Sequence, residues 1–106
     1  MVYMFLANGF EEIEALYTLD VLRRAGVDIK TVGISSKTAT GSHNIPVICD
    51  ITPQELPFTT DFDMIILPGG MPGSRHLDES RTVDAALRAA AASNAYLAAI
   101  CAAPMV

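Results

Sequence analysis

Short unbroken apolar runs alternate along the chain with longer stretches whose apolar positions recur every three or four residues. The runs at 2–7 and 95–100 are continuous rather than alternating, the pattern of strands buried on both faces in a parallel sheet, and 28–34 and 62–67 read as two further strands, the latter buried. Residues 11–25 read as a helix. Glu11, Glu12 and Glu14 crowd its first turn, Arg23 and Arg24 its last, and Gly26 stands at the stop position. Residues 80–93 form a second helix with Val83, Leu87 and Ala90 facing inward, and Asn94 marks its end. Between these, Thr40-Gly41 predicts a turn between short strands, and Pro46 places the 45–49 strand at an edge or a bulge. Thr52-Pro53 and Leu56-Pro57 leave a loop.

Strands separated by helices make βαβ units and a parallel sheet with helices on its faces. Sites in such sheets lie beyond the carboxyl ends of the strands, where Gly9, Gly69-Gly70 and Cys101 all fall. The first helix carries two apolar stripes: Ala15, Leu19 and Leu22 on one side, Ile13, Tyr17 and Val21 on another. A sheet covers one of them; a neighbouring helix or a second subunit covers the other. After Cys101, the segment Ala102-Ala103-Pro104 opens an element of a single turn, so the chain reads as one domain over 1–106 that is cut short of completion.

Composition narrows the class. Apolar residues make up 51% of the 106 positions and mean hydropathy is +0.35, which excludes charge-driven disorder. A net charge of −5 and a pI near 4.7 argue against nucleic acid or an anionic membrane as partner. No apolar stretch approaches the ~18 residues of a membrane span, and no basic start precedes the first apolar run, so a cytoplasmic protein is expected. Two cysteines far apart in sequence, Cys49 and Cys101, form neither a disulfide scaffold nor a zinc spacing.

The sharpest chemical signal is Ala99-Ile100-Cys101-Ala102-Ala103. A nucleophile elbow needs a tight strand-to-helix turn with small residues two places either side of the nucleophile, and alanine fits both places. N–H groups and the dipole of a following helix would favour the thiolate. The alternative is a buried cysteine packing as a small hydrophobe. Pro68-Gly69-Gly70 can turn N–H groups toward one point, as an oxyanion hole requires, though most such tripeptides are only turns. One helix joins the strands that end at Gly70 and Cys101, so the two ends are expected side by side. Glu11 and Glu12 read as a solvated face. Glu14, between Ile13 and Ala15, is expected to be partly buried and to stay protonated beside a thiolate. His43 and His76 read as surface residues in loops, not at metal-ligand spacing, and Cys49 as structural or, if exposed, a secondary oxidation site. No GxGxxG or GxxxxGK[ST] motif occurs, so no cofactor and no metal are expected.

The ordered segments A-N-G-F-E-E-I-E (7–14), D-V-L-R-R-A-G (20–26), L-P-G-G (67–70) and A-A-I-C-A-A-P (98–104) resemble the ThiJ/PfpI superfamily, in the branch of the Parkinson-disease-associated deglycase. The resemblance spans essentially the whole chain. It implies a flavodoxin-like parallel sheet sandwiched by helices, of which this chain holds the N-terminal part, and a homodimer formed through the first helix. It implies Cys101 as an oxidation-prone nucleophile, Glu14 as a protonated acid on its sulfur, and Gly70 and Ala102 as donors of backbone N–H groups to an oxyanion. The implied activity is cofactor-free glyoxalase or deglycase chemistry, hydrolase or lyase in type, on small dicarbonyls such as methylglyoxal or their adducts. Ala103 stands where the family commonly has glycine. Family members continue past the elbow and supply further strands, helices and a histidine near the nucleophile, so residues 1–106 alone are expected neither to fold stably nor to turn over substrate. A redox sensor or chaperone acting through Cys101 oxidation is the rival reading; a cysteine peptidase or a thiamine-biosynthesis protein ranks below it.

Overall fold

The computed structural model of the chain describes residues 1–57 and 62–106. Six strands and three helices run in the order β1 (Val2–Leu6), α1 (Glu12–Arg24), β2 (Ile29–Gly33), β3 (Thr38–Thr40), β4 (Pro46–Ile48), β5 (Met64–Leu67), α2 (Gly73–Glu79), α3 (Arg81–Ala92) and β6 (Tyr96–Ala99). Short 3₁₀ turns stand at Pro53–Glu55 and Ala103–Met105. Four strands form one parallel sheet in the order β2-β1-β5-β6, while β3 and β4 pair antiparallel as a separate hairpin. With the hairpin set aside, this is the 2-1-3-4 order of flavodoxin-like folds.

Continuous apolar strands arise because both faces of the sheet are covered. Val2, Met4 and Leu6 of β1 pack on Ala15 of α1 and on Ile29, Ala39 and Cys49, beneath α1 and the hairpin. Tyr3 and Phe5 point the other way, onto Leu77, Val83, Ala86 and Ala90 of α2 and α3. Glu11 caps α1 by accepting the N–H of Ile13 at 3.0 Å, and Gly26, at φ +79°, lies just beyond its end. Ser80 caps α3 through the N–H of Val83 at 3.3 Å, and Asn94, at φ +61°, follows that helix. Asp50 ties α1 to the sheet: its Oδ2 accepts from Thr31 N at 2.8 Å, Thr31 Oγ1 at 3.1 Å and Arg23 Nη2 at 2.7 Å. Burial opposes ionisation of that carboxyl, but these bonds outweigh it and hold the group below its ordinary range.

The helix α2 departs from the sequence reading, which assigns no element to residues 71–79 and places His76 in a loop. Pro72, Gly73 and Ser74 mask its start, and it runs only seven residues before Ser80 turns the chain into α3. Two helices, not one, therefore connect β5 to β6, and His76 lies on a helix. The last strand also differs from a buried run, since β6 is the sheet edge among the described residues and Tyr96 and Leu97 are exposed. On α1, Ala15 is buried and Leu19 and Leu22 pack against the core, whereas Ile13, Tyr17 and Val21 stay exposed. No helix among the described residues covers that second stripe, and none is long and apolar enough to cross a membrane. Phe5, fully buried at the centre of the sheet, is its keystone by volume. Phe5→Ala should lower stability by about 3–5 kcal/mol, read as a shift of the urea unfolding midpoint.

Candidate active site

The parallel register delivers the chain after β1, β5 and β6 to one edge of the sheet. There Glu14, Gly69 and Cys101 converge. Glu14 is half-buried in the first turn of α1, and its Oε1 accepts the N–H of Gly69 at 3.0 Å. A Cβ placed on Gly69 would meet Glu14 Oε1 at 2.5 Å and Cys101 Cβ at 2.8 Å, so only glycine lets the two approach this closely. The carbonyl of Gly69 in turn accepts the N–H of Glu11 at 2.9 Å. The first turn of α1 thus grips both ends of one residue's peptide dipoles. Gly70 follows at φ +101°, hard against the backbone of Phe10 and Glu11.

Cys101 has φ +59°, a left-handed conformation that a residue with a Cβ adopts at a cost of about 1–3 kcal/mol. Such strain at a strand-to-helix corner is the mark of a nucleophile elbow. The side chain is exposed and free of any disulfide. Ala103 is buried, which explains why a small residue is required two places on; Ala99 is exposed. Neither Gly70 N–H nor Ala102 N–H donates to a protein acceptor among the described residues. The element that follows Cys101 opens as a 3₁₀ turn at Ala103–Met105. The structure therefore gathers Cys101, Glu14 and Gly70 around Gly69, and Ala102 adjoins the cysteine.

One other expectation changes. Glu12 is not on a solvated face: it is 4% exposed, and it anchors the loop between β3 and β4. Its Oε2 accepts the N–H of His43 at 2.8 Å and of Ile45 at 3.3 Å, and its Oε1 lies 3.0 Å from His43 Nδ1. Burial raises the pKa of this carboxyl, but the His43 ring and the loop N–H groups prevail and bring it down to about 2. Bonding to Glu12, with the charge of Glu11 nearby, raises His43 above its ordinary value. His43 is exposed as expected, yet its ring is tethered rather than loose. Cys49 lies just beyond the end of β4 and is buried, in keeping with its structural reading, and burial pushes its thiol up. A sequence signal for Glu12 existed only in part: Gly41 leaves the room its carboxylate fills, and that pairing spans the hairpin.

A parallel α/β sheet with a strained, strand-end cysteine and a helix-borne glutamate crowded against the same glycine defines the class. The chain matches the DJ-1/PfpI family over residues 1–106 and belongs to that family. It is 36% identical over 104 residues to protein dj-1beta of Drosophila melanogaster, covering 97% of this chain and 55% of that one. It is 34% identical over 96 residues to the glutathione-independent glyoxalase DJR-1.2 of Caenorhabditis elegans, covering 91% of this chain and 50% of the relative. The crystal structure of Drosophila melanogaster DJ-1beta superposes with a TM-score of 0.91 at 35% identity, over 98% of this chain and 56% of that one. The chain thus spans about half the length of these relatives.

Two outcomes follow from the geometry. Iodoacetamide should modify Cys101 at least ~10-fold faster than Cys49, measured by peptide mass spectrometry, because one thiol is exposed and the other is buried with a raised pKa. Glu12 has a folded-state pKa of about 2 against an ordinary 4.5, so its clamp on the hairpin stabilises fully above about pH 4.5 and is lost as pH falls toward 2. Acid denaturation of Glu12→Gln should lack that component, whereas an unchanged acid limb would contradict the assignment.

Proposed function

We propose that the protein is a cofactor-independent glyoxalase or deglycase in which Cys101 is the nucleophile. The observation that carries this reading is the meeting of Glu14 and Cys101 across Gly69, and a relative named as a glutathione-independent glyoxalase supports it. The Cys101 thiolate adds to the aldehyde carbon of a 2-oxoaldehyde such as methylglyoxal, and the oxygen takes a proton to give a hemithioacetal. Glu14 moves the proton from that carbon to the adjacent one through an enediol, leaving a thioester of the 2-hydroxy acid. Water hydrolyses the thioester, releasing lactate and restoring the thiol. The free N–H groups of Gly70 and Ala102 stabilise charge on oxygen during addition and hydrolysis. On a hemiaminal or hemithioacetal adduct of such a dicarbonyl, the Cys101 sulfur takes the place of the amine or thiol, which leaves with a proton, and the same isomerisation and hydrolysis then give deglycation.

Two copies pair through α1 in this reading. Ile13, Tyr17 and Val21 form an exposed apolar stripe, and Ile45 and Ile48 of the hairpin are exposed as well. A reducing, cytoplasmic setting suits an enzyme whose Cys49 and Cys101 are both unpaired. The exposed, strained sulfur of Cys101 also favours a second reading, a redox sensor or chaperone in which peroxide oxidises the thiol to sulfinate while Glu14 donates to the new oxygen. Lactate production from methylglyoxal by the intact protein separates the two. Cys101→Ser should abolish it while Cys49→Ser leaves it within about twofold, and unchanged turnover in Cys101→Ser would end the enzymatic reading.

A further inference from the structure

Away from the cysteine, a second set of donor atoms gathers where α1 meets the hairpin. One ligand atom each from Glu11, Glu12 and His43 lies within 4.8 Å of the others. His43 Nδ1 is 3.0 Å from Glu12 Oε1 and 3.8 Å from Glu11 Oε2. Metal–ligand bonds of about 2.0–2.2 Å in a tetrahedral array place neighbouring donors roughly 3.3–3.6 Å apart, a spacing that these two separations bracket. The remaining oxygen of each carboxylate accepts from backbone N–H groups. Glu11 Oε1 accepts Ile13 N–H, and Glu12 Oε2 accepts the N–H groups of His43 and Ile45. Each glutamate is therefore fixed by one oxygen and turns the other toward the same imidazole nitrogen, as outer contacts do for ligands at metal centres. An open cavity of about 420 Å³, lined by these three residues with Ile13 and Ile45, stands in front of them.

We propose that Glu11 Oε2, Glu12 Oε1 and His43 Nδ1 bind a divalent first-row cation, zinc foremost. Imidazole with carboxylates suits zinc, and two carboxylate charges match a dication. The positive end of the α1 dipole opposes a cation with only about half a charge, which the two carboxylates exceed. Binding displaces the proton from His43 Nδ1 to solvent. Three protein donors leave a fourth coordination position, which a water completes. This site does not depend on the chemistry assigned to Cys101.

The test is calorimetric titration of zinc chloride into the intact, metal-free protein at neutral pH, with Cys101→Ser as background to remove the exposed thiol. One zinc per chain should bind with a dissociation constant in the range of about 1–10 μM. His43→Gln should weaken it about 100-fold or more. Glu11→Gln keeps an oxygen for Ile13 N–H and should also weaken binding by at least ~10-fold, so the result does not hang on one variant. Cobalt(II) should give visible absorption bands of low-coordinate geometry that His43→Gln removes. Absence of binding tighter than about 1 mM, or micromolar binding indifferent to both substitutions, overturns the proposal.

Discussion

The peptide groups flanking Gly69 are held from one side by the first turn of α1, and the arrangement of the site depends on that grip. Glu14 takes the N–H of Gly69 while the N–H of Glu11 takes its carbonyl. Both contacts require α1 to start where it does, directly after the turn that ends β1, and require β5 to lie beside β1 so that its end meets that turn. Cys101 reaches the same place because β6 pairs with β5 in register, Leu67 opposite Ala99. Three segments remote in sequence are thereby reduced to one cluster by the parallel sheet. A side chain at position 69 would push Glu14 and Cys101 apart, so the glycine is as much a part of the site as either.

The hairpin enlarges this arrangement. Glu12, adjacent in sequence to the residues that grip Gly69, faces the opposite way and pins His43 and Ile45 to α1. One helical turn therefore fastens the elbow side with Glu11 and Glu14 and the hairpin side with Glu12. Consecutive acids in a first turn commonly serve only the helix dipole. Here each has a distinct partner, and the carboxyl of the buried one, Glu12, is held below its ordinary range because its hydrogen bonds exceed the cost of burial.

The sheet, α1 and α3 were legible in the chain because their signals are local: unbroken apolar runs, capping residues at Glu11 and Ser80, and stops at Gly26 and Asn94. The elbow was legible too, since the small residues around Cys101 reflect crowding within five positions. What escaped was non-local or too short. Glu12 is indistinguishable in sequence from Glu11, and its burial is decided by a loop some thirty positions away. The seven residues of α2 open on Pro72-Gly73, which locally announce a turn, and only packing of Leu77 against the sheet makes them a helix.

The account stands on Glu14 acting on chemistry at Cys101 across Gly69, and Glu14→Gln isolates that link, because glutamine still accepts the Gly69 N–H but cannot carry the proton. The intact variant should be incubated with methylglyoxal and its adduct followed by native mass spectrometry of the undigested protein, with Cys101→Ser as the blank, while lactate is measured in parallel. The hemithioacetal should still form on Cys101, and lactate release should fall by about 100-fold or more. Lactate released at the wild-type rate by Glu14→Gln would contradict the account at its centre.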